Sequence, residues 1–156
     1  DAKYGEYPEP EQVPEGSSGF PLQLLDRCAE GGVIRFLAGH SLPVLAVAIS
    51  DDGTLAISGG DGRTLRVWEL PSGRPRYILT GHQGSIHAVA LSRTGTIAAS
   101  ASEDRTLRVW DLASGQHLAS FTGELRMTAC ALAPDGRTLI AGEGDGRVHV
   151  LRLELP

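Results

Sequence analysis

Short apolar runs separated by glycine-containing turns make up the chain from Val33 onward. The runs are rich in Val, Ile, Leu, Thr and Ala, and the turns between them read DDG, GDG, PSG, RTG, ASG, PDG and GDG. This alternation is typical of short β-strands joined by tight turns, and no longer segment favours the period of a helix. The pattern predicts an all-β fold with strands at 33–37, 44–49, 54–58, 64–69, 76–80, 86–91, 96–100, 106–111, 117–121, 128–132, 138–141 and 147–152.

The predicted strands repeat with a period of 42 residues. Residues 39–80 align with residues 81–122 without a gap, and 20 of the 42 positions are identical. Both copies begin with Gly-His, and both carry the segment RTLRVW followed by an acidic residue. A third, more degraded copy covers residues 123–153. A fixed period of this size indicates a repeat architecture.

These motifs resemble the WD repeats of β-propeller proteins, whose signature is Gly-His near the start of a repeat and Trp-Asp near its end. The segments AVALS and TLRVWDLASG are also similar to segments of bacterial multidomain signalling proteins with a C-terminal propeller. The resemblance covers about residues 33–153. It implies β-propeller blades, which are four-stranded antiparallel sheets packed face to face around a channel. We therefore expect a partial propeller of about three blades in residues 33–156.

Residues 1–32 differ in composition from the repeats. They are rich in Pro, Gly and Glu. Residues 1–19 contain too few aliphatic side chains to bury enough apolar surface to offset the chain entropy. We interpret residues 1–32 as a linker or N-terminal arm. The chain begins at Asp1, and we expect it to be part of a longer protein.

The resemblance also implies a buried row of hydrogen-bonded side chains across each blade. Such a row contains a His, a Ser or Thr, an Asp and the Trp. The second repeat has all four, the first has Gly62 where the Asp belongs, and the third keeps only the Asp. Carried over position by position, this structural network contains His40, Ser58, Trp68, His82, Ser100, Asp104, Trp110 and Asp145.

A Ser, a His and an Asp in one row also raise the hypothesis of a hydrolase. The sequence contains no nucleophile-elbow motif, and the His recurs from repeat to repeat, whereas an active site would be singular. A satisfied buried network stabilises a sheet without catalysing anything. We therefore predict no catalytic residues.

Proteins with this resemblance bind other proteins or peptides, most often through the loops at one end of the blades. Loop residues on a rigid scaffold are common binding elements. By that pattern the candidate partner-binding residues are Leu45, Asp61, Gln83, Ser85, His87, Glu103, Arg126 and Thr128. The mixture of acidic, titratable and basic side chains favours a polar peptide with a Lys or Arg anchor.

Composition narrows the range of partners. The net charge is −5, which argues against a nucleic-acid binder, and no apolar run reaches the roughly 18 residues of a membrane-spanning helix. Cys28 and Cys130 lack metal-site spacing, so we interpret them as reduced thiols, with a disulfide as the alternative. We predict no metal and no cofactor. The chain has no apolar signal segment at its start, and we expect a cytoplasmic location.

The sequence thus predicts a non-catalytic protein–protein interaction scaffold within a larger regulatory or signalling protein. Two alternatives stay open. In the first, the chain is a structural dimerisation unit, because closed propellers have four to eight blades and two copies would complete a six-bladed ring. In the second, it is an enzyme with its active site at the mouth of the channel.

Overall fold

A computed structural model describes residues 36–154. In this range the chain forms strands and no helix, so no described helix is long and apolar enough to cross a membrane. The all-β prediction is confirmed. The predicted arm at 1–32 and most of the predicted strand at 33–37 lie outside the described residues. The strands are β1 (Val44–Ile49), β2 (Leu55–Gly60), β3 (Leu65–Glu69), β4 (Arg74–Leu79), β5 (Ile86–Leu91), β6 (Ile97–Ser102), β7 (Thr106–Asp111), β8 (Gln116–Thr122), β9 (Met127–Leu132), β10 (Thr138–Glu143) and β11 (Val148–Arg152).

The strands form three antiparallel sheets, each made of strands consecutive in the chain. Blade 1 has the order β1-β2-β3-β4, blade 2 has β5-β6-β7-β8, and blade 3 has β9-β10-β11 within the described residues. The first strand of each blade lies against the first strand of the next, β1 on β5 and β5 on β9. The architecture is that of partial propeller blades, as the repeats predicted.

The core lies between the blades because side chains alternate between the two faces of a strand. Ile57, Leu65 and Val67 of blade 1 are fully buried against blade 2, in a cluster that includes Trp110. Neighbouring residues of blade 2 point the other way. Leu107, for example, packs in a second cluster with blade 3. Blade 2 therefore has both faces covered.

The second strand of each blade ends two residues later than the sequence predicted. Strands β2, β6 and β10 extend to Gly60, Ser102 and Glu143. In each blade the pairing of the first and second strands shifts register at this end, as between Val44 and Ala46. Such a bulge continues the ladder past the irregularity and places an extra residue inside the sheet.

Candidate interaction face and the buried rows beneath it

Blade 2 contains a continuous row of hydrogen bonds. The indole N–H of Trp110 donates to Ser100 Oγ at 2.9 Å, and the same oxygen lies 2.7 Å from His82 Nε2. On the other side of the ring, His82 Nδ1 lies 2.8 Å from Asp104 Oδ2. That carboxylate oxygen also accepts the backbone N–H of Gln83 at 2.9 Å. The row thus joins the centre of the sheet to the loop that precedes β5.

The protonation states of this row follow from its surroundings. Burial lowers the pKa of His82, although the Asp104 carboxylate acts in the opposite direction. Burial also acts to raise the pKa of Asp104, but hydrogen bonds from Thr106, the Gln83 amide and His82 hold that pKa well below its usual range. A neutral His82 that accepts the Ser100 O–H at Nε2 and donates from Nδ1 to an ionised Asp104 satisfies every donor.

The order Asp104–His82–Ser100 matches that of a catalytic triad, yet the serine cannot act as a nucleophile in this structure. Ser100 is 0% exposed, so no substrate reaches its Oγ. The oxygen is already engaged by the ring of His82 and the indole of Trp110. The row therefore stabilises the blade.

Blade 1 has a shorter row. Ser58 Oγ accepts the indole N–H of Trp68 at 2.9 Å and lies 2.7 Å from His40 Nε2. Burial and the nearby Arg66 guanidinium lower the pKa of His40. Gly62 stands at the position of the Asp104 carboxylate, and no carboxylate within residues 36–154 hydrogen-bonds the His40 ring. The row in blade 1 therefore stops at its histidine.

Blade 3 uses a different acceptor from the predicted one. The side chain of Glu143 is completely buried, and its Oε1 accepts the backbone N–H of Glu124 at 3.0 Å. His149 Nε2 lies 3.3 Å from the same oxygen. The predicted residue, Asp145, instead stays in its own turn, where it accepts the Arg147 N–H at 3.1 Å. The assignment of Asp145 to the network is therefore corrected to Glu143.

Glu143 belongs to a position that lies against the loop before the first strand in every blade. In blade 1 it is Gly60, where an added Cβ would lie 2.1 Å from Pro43 O. In blade 2 it is Ser102, whose hydroxyl donates to Gly84 O at 3.0 Å. Sequence reasoning missed Glu143 because GEGDG has the composition of a turn. The alignment of the repeats could have identified Glu143, since it aligns with Ser102 at the end of a strand.

The same end of all three sheets carries the predicted partner-binding residues, and we call it the loop face. A backbone hydrogen bond recurs there in every blade. It runs from Asp61 N to Pro43 O at 3.1 Å, from Glu103 N to Ser85 O at 2.9 Å and from Gly144 N to Arg126 O at 3.1 Å. Each joins the loop before the first strand to the turn after the second. The structure therefore places these loops and turns side by side.

The predicted residues differ in exposure and in contacts. Leu45, Gln83, Glu103, Arg126 and Thr128 are exposed, whereas Asp61, Ser85 and His87 are half-buried. The structure pairs His87 Nε2 with Glu103 Oε1 at 3.8 Å. Within residues 36–154, Asp61 and Arg126 form no ion pair. Two charges of opposite sign on the loop face thus have no ion-pair partner among the described residues, and binding by these residues stays a prediction.

The chemistry available elsewhere in the described residues is limited. No group of three or more His, Cys, Asp and Glu side chains between residues 36 and 154 is arranged to hold a metal ion. Cys130 is a free thiol. Burial raises the pKa of Cys130 to about 12, so the thiol stays protonated at neutral pH. The other cysteine, Cys28, lies outside the described part.

Three stretches of the sequence match the WD40 family, described as WD domain, G-beta repeat: residues 31–69, 73–111 and 115–151. Together they cover well over half of the chain. The protein belongs to the WD40 family. The second and third WD40 matches begin just before β4 and β8, which are the last strands of blades 1 and 2. These two matched units therefore start with the last strand of the preceding blade.

Curated relatives share shorter segments with this WD40 chain. It is 44% identical over 55 residues to the APC/C activator protein CDH1 of Saccharomyces cerevisiae, which is 35% of the chain and 10% of that protein. It is 36% identical over 63 residues, 40% of the chain and 12% of the relative, to the nuclear distribution protein PAC1 of Scheffersomyces stipitis. It is 40% identical over 45 residues, 29% of the chain and 15% of the relative, to the WD repeat-containing protein SL1-17 of Schistosoma mansoni. The chain thus matches only a small part of each relative.

Proposed function

We propose that this WD40 chain is a non-catalytic protein-interaction module of a larger regulatory or signalling protein, and that it binds a peptide segment of its partner at the loop face. The observation that carries the proposal is the backbone hydrogen bond that recurs there in all three blades. It holds exposed side chains on a fixed support. Such loops, positioned by a rigid scaffold, are the usual binding elements of a protein.

The support beneath the loop face is strongest in blade 2. Asp104 fixes the loop at Gln83 through the 2.9 Å hydrogen bond to its amide, and the adjacent residue, Glu103, extends into solvent. The Glu103 side chain is 48% exposed, so its carboxylate is accessible although its backbone is fixed. An acceptor held in this way loses little conformational entropy when it binds a donor.

The charges of the loop face indicate the class of partner. Asp61 in blade 1 and Glu103 in blade 2 present carboxylates in equivalent turns, and both can accept hydrogen bonds from a Lys or Arg side chain. Arg126 in blade 3 can contact an acidic residue of the same peptide. The matching pattern is a peptide with a basic anchor and an acidic residue next to it.

The relatives and the composition agree with this proposal. One matched relative is named an activator protein and another a WD repeat-containing protein, and the WD40 family is generally an interaction fold rather than a catalytic one. The net charge of −5 disfavours binding to the nucleic-acid backbone. Absence of membrane binding and a cytoplasmic location are parts of the same proposal.

A charge-matched pair of variants tests the site. Asp61→Asn with Glu103→Gln removes two carboxylates from the loop face, while Asp51→Asn with Glu69→Gln removes two exposed carboxylates from the opposite end of blade 1. A peptide array with systematically varied Lys and Arg positions is first screened with the unaltered chain, and the hits are titrated calorimetrically. We expect the loop-face variant to weaken binding at least about tenfold, the scale of one lost charged hydrogen bond, and the control to bind normally. Equal binding by both variants contradicts the proposed face.

A further inference from the structure

A histidine on the loop face lies beside Glu103, the carboxylate proposed to accept the basic residue of a peptide. The pairing of β5 with β6 shifts register between Ile86 and Ala88, and His87 is the extra residue of this bulge. Bulges re-aim a side chain relative to a regular strand. His87 Nε2 lies 3.8 Å from Glu103 Oε1. The two groups are close enough for the charge of one to affect the other.

The ring nitrogen of His87 that faces this carboxylate is shielded from water. The side chain as a whole is 31% exposed, yet its Nε2 atom is buried and has no hydrogen-bond partner within residues 36–154. A charge on a shielded nitrogen is costly unless a charge of opposite sign compensates it. When the ring is protonated, the Glu103 carboxylate is therefore the group that compensates its charge.

The Glu103 side chain is held where this interaction can form. An added Cβ at Gly84 would lie 3.1 Å from Glu103 Cβ, so the first part of the side chain packs against the loop before β5. The backbone N–H of Glu103 also donates to Ser85 O at 2.9 Å. Only the outer part of the side chain is left to turn, either toward solvent or toward the ring of His87.

The strands adjacent to β5 place no competing charge at His87. Strands β1, β2 and β6 contain no Asp, Glu, Lys, Arg or His, and β9 contributes only the protonated thiol of Cys130. In the turns and loops beside them, Asp61 and Arg126 form no ion pair with the ring, and Asp104 is engaged by His82. Among the described residues, the structure pairs His87 with Glu103 alone.

The equivalent positions of the other two blades carry no titratable group. The bulges of blades 1 and 3 place Leu45 and Thr128 where blade 2 has His87. Leu45 is apolar, and the Thr128 hydroxyl donates to Gly142 O at 3.2 Å. A response of these positions to pH therefore depends on one side chain, and one substitution can remove it.

We propose that His87 makes peptide binding at the loop face sensitive to pH, acting through Glu103. This inference rests on the proposed function, because it concerns the same carboxylate. Histidine is the residue type that ordinarily gains its charge between pH 8 and pH 5. A protonated His87 engages the carboxylate and repels the Lys or Arg of the peptide, so acidification weakens binding. The pair is partly exposed, and screening limits the effect to about a two- to fivefold rise in Kd.

Calorimetric titration at pH 8.0 and pH 5.5 tests this inference. The probe is a peptide that binds in the array, contains no His and is acetylated at its N-terminus, so that it does not itself titrate as a base in this range. We expect Kd to be about two- to fivefold higher at pH 5.5. His87→Gln should bring the ratio of the two Kd values to about one, whatever its affinity at pH 8.0. His117→Gln is the control, since His117 lies exposed on β8, and it should keep the ratio. Circular dichroism at both pH values checks that each variant is folded.

The outcomes separate this inference from the proposed function. If no peptide binds at pH 8.0, or if Asp61→Asn with Glu103→Gln leaves binding unchanged, the proposed function is wrong and the inference falls with it. If binding depends on the loop face but Kd is the same at both pH values, the inference alone is overturned. A ratio that His87→Gln keeps would also overturn it, because another group would then cause the response.

Discussion

At the scale of single residues, Gly62 decides how far the polar row of blade 1 extends. Blade 2 has Asp104 there, which is hydrogen-bonded to His82, to the Gln83 amide and to the hydroxyl of Thr106. Blade 1 keeps the other partners, since His40 is in place and Thr64 Oγ1 would lie 3.9 Å from an added Cβ at Gly62. The environment for a carboxylate is thus present although the carboxylate is missing.

Gly62→Asp should therefore stabilise the protein. A carboxylate at this position would accept hydrogen bonds from His40 and Thr64, and one such bond contributes about 1 kcal/mol to the free energy of unfolding. The backbone at Gly62 is not left-handed, so a side chain causes no strain there. Gly62→Ala is the control, because it reproduces the loss of backbone freedom in the unfolded chain without the acceptor. Urea denaturation measures both, and equal stabilities would show that the carboxylate does not join the row.

The row of blade 2 should make stability depend on pH. The pKa of His82 in the folded protein lies below its ordinary value of 6.5, so the unfolded chain binds more protons than the folded chain just below that pH. Stability should therefore be complete above about pH 6.5 and fall on acidification. The lowered pKa of Asp104 adds a second loss as the pH falls below about 4.

Thermal unfolding between pH 5 and pH 8 measures the first of these losses. His82→Gln removes the titrating ring and should flatten the profile, although His40, whose pKa is also lowered, should retain part of the slope. His117→Gln is the control, since His117 lies exposed on β8 and is not hydrogen-bonded within the row. Its ring lies 5.3 Å from that of Trp110, and the variant should keep most of the slope of the unaltered protein. A slope that His82→Gln does not reduce would mean that other groups govern the acid sensitivity.

At the scale of strands and blades, Glu143 should be more important to blade 3 than Asp145. Glu143→Ala leaves the partly buried Glu124 amide without its acceptor, and such a loss costs about 1–3 kcal/mol. Asp145→Ala removes an exposed ion pair with Arg147 and should cost at most about 1 kcal/mol. Urea denaturation gives the two free energies of unfolding. Equal losses would mean that the buried carboxylate is not the anchor of this blade.

Strand β10, which ends at Glu143, shows what the sequence alone could not predict. The 42-residue period and the glycine turns were enough to predict β1, β5 and β7 with their observed bounds. The turns that limit these strands are determined by residues close to them in the sequence. The ends of β2, β6 and β10 were missed because they depend on a bulge in the neighbouring strand. Glu143 lies in the part that was missed. Its position inside the sheet depends on pairing with Met127, a contact between residues distant in the chain.

For the polar rows, too, the sequence predicted one part and missed another. The repeat motifs indicated His82, Ser100, Asp104 and Trp110, and the structure joins these four side chains by hydrogen bonds. Aligning motifs could not show which neighbour replaces a missing member, since a substitute need not stand at the same position of the repeat. Glu143 precedes the aligned Asp145 by two residues, yet its longer side chain reaches back to the loop.

At the scale of the whole molecule, the blades differ in how many neighbours they have. Among residues 36–154, blade 2 is packed on both faces, while blades 1 and 3 are each packed on one. In a repeat protein the stability of each unit depends on its own interactions and on the interfaces with its neighbours. Hydrogen exchange reports such local differences, because amides exchange through local as well as global opening.

We therefore expect the amides of β6 and β7 in blade 2 to exchange more slowly than those of β2 and β3 in blade 1 and those of β10 and β11 in blade 3. The reason is that opening blade 2 exposes apolar side chains at two inter-blade clusters, whereas opening blade 1 or blade 3 exposes those of one cluster. Hydrogen–deuterium exchange gives these rates strand by strand. Uniform rates across the three blades would show that they unfold as one unit.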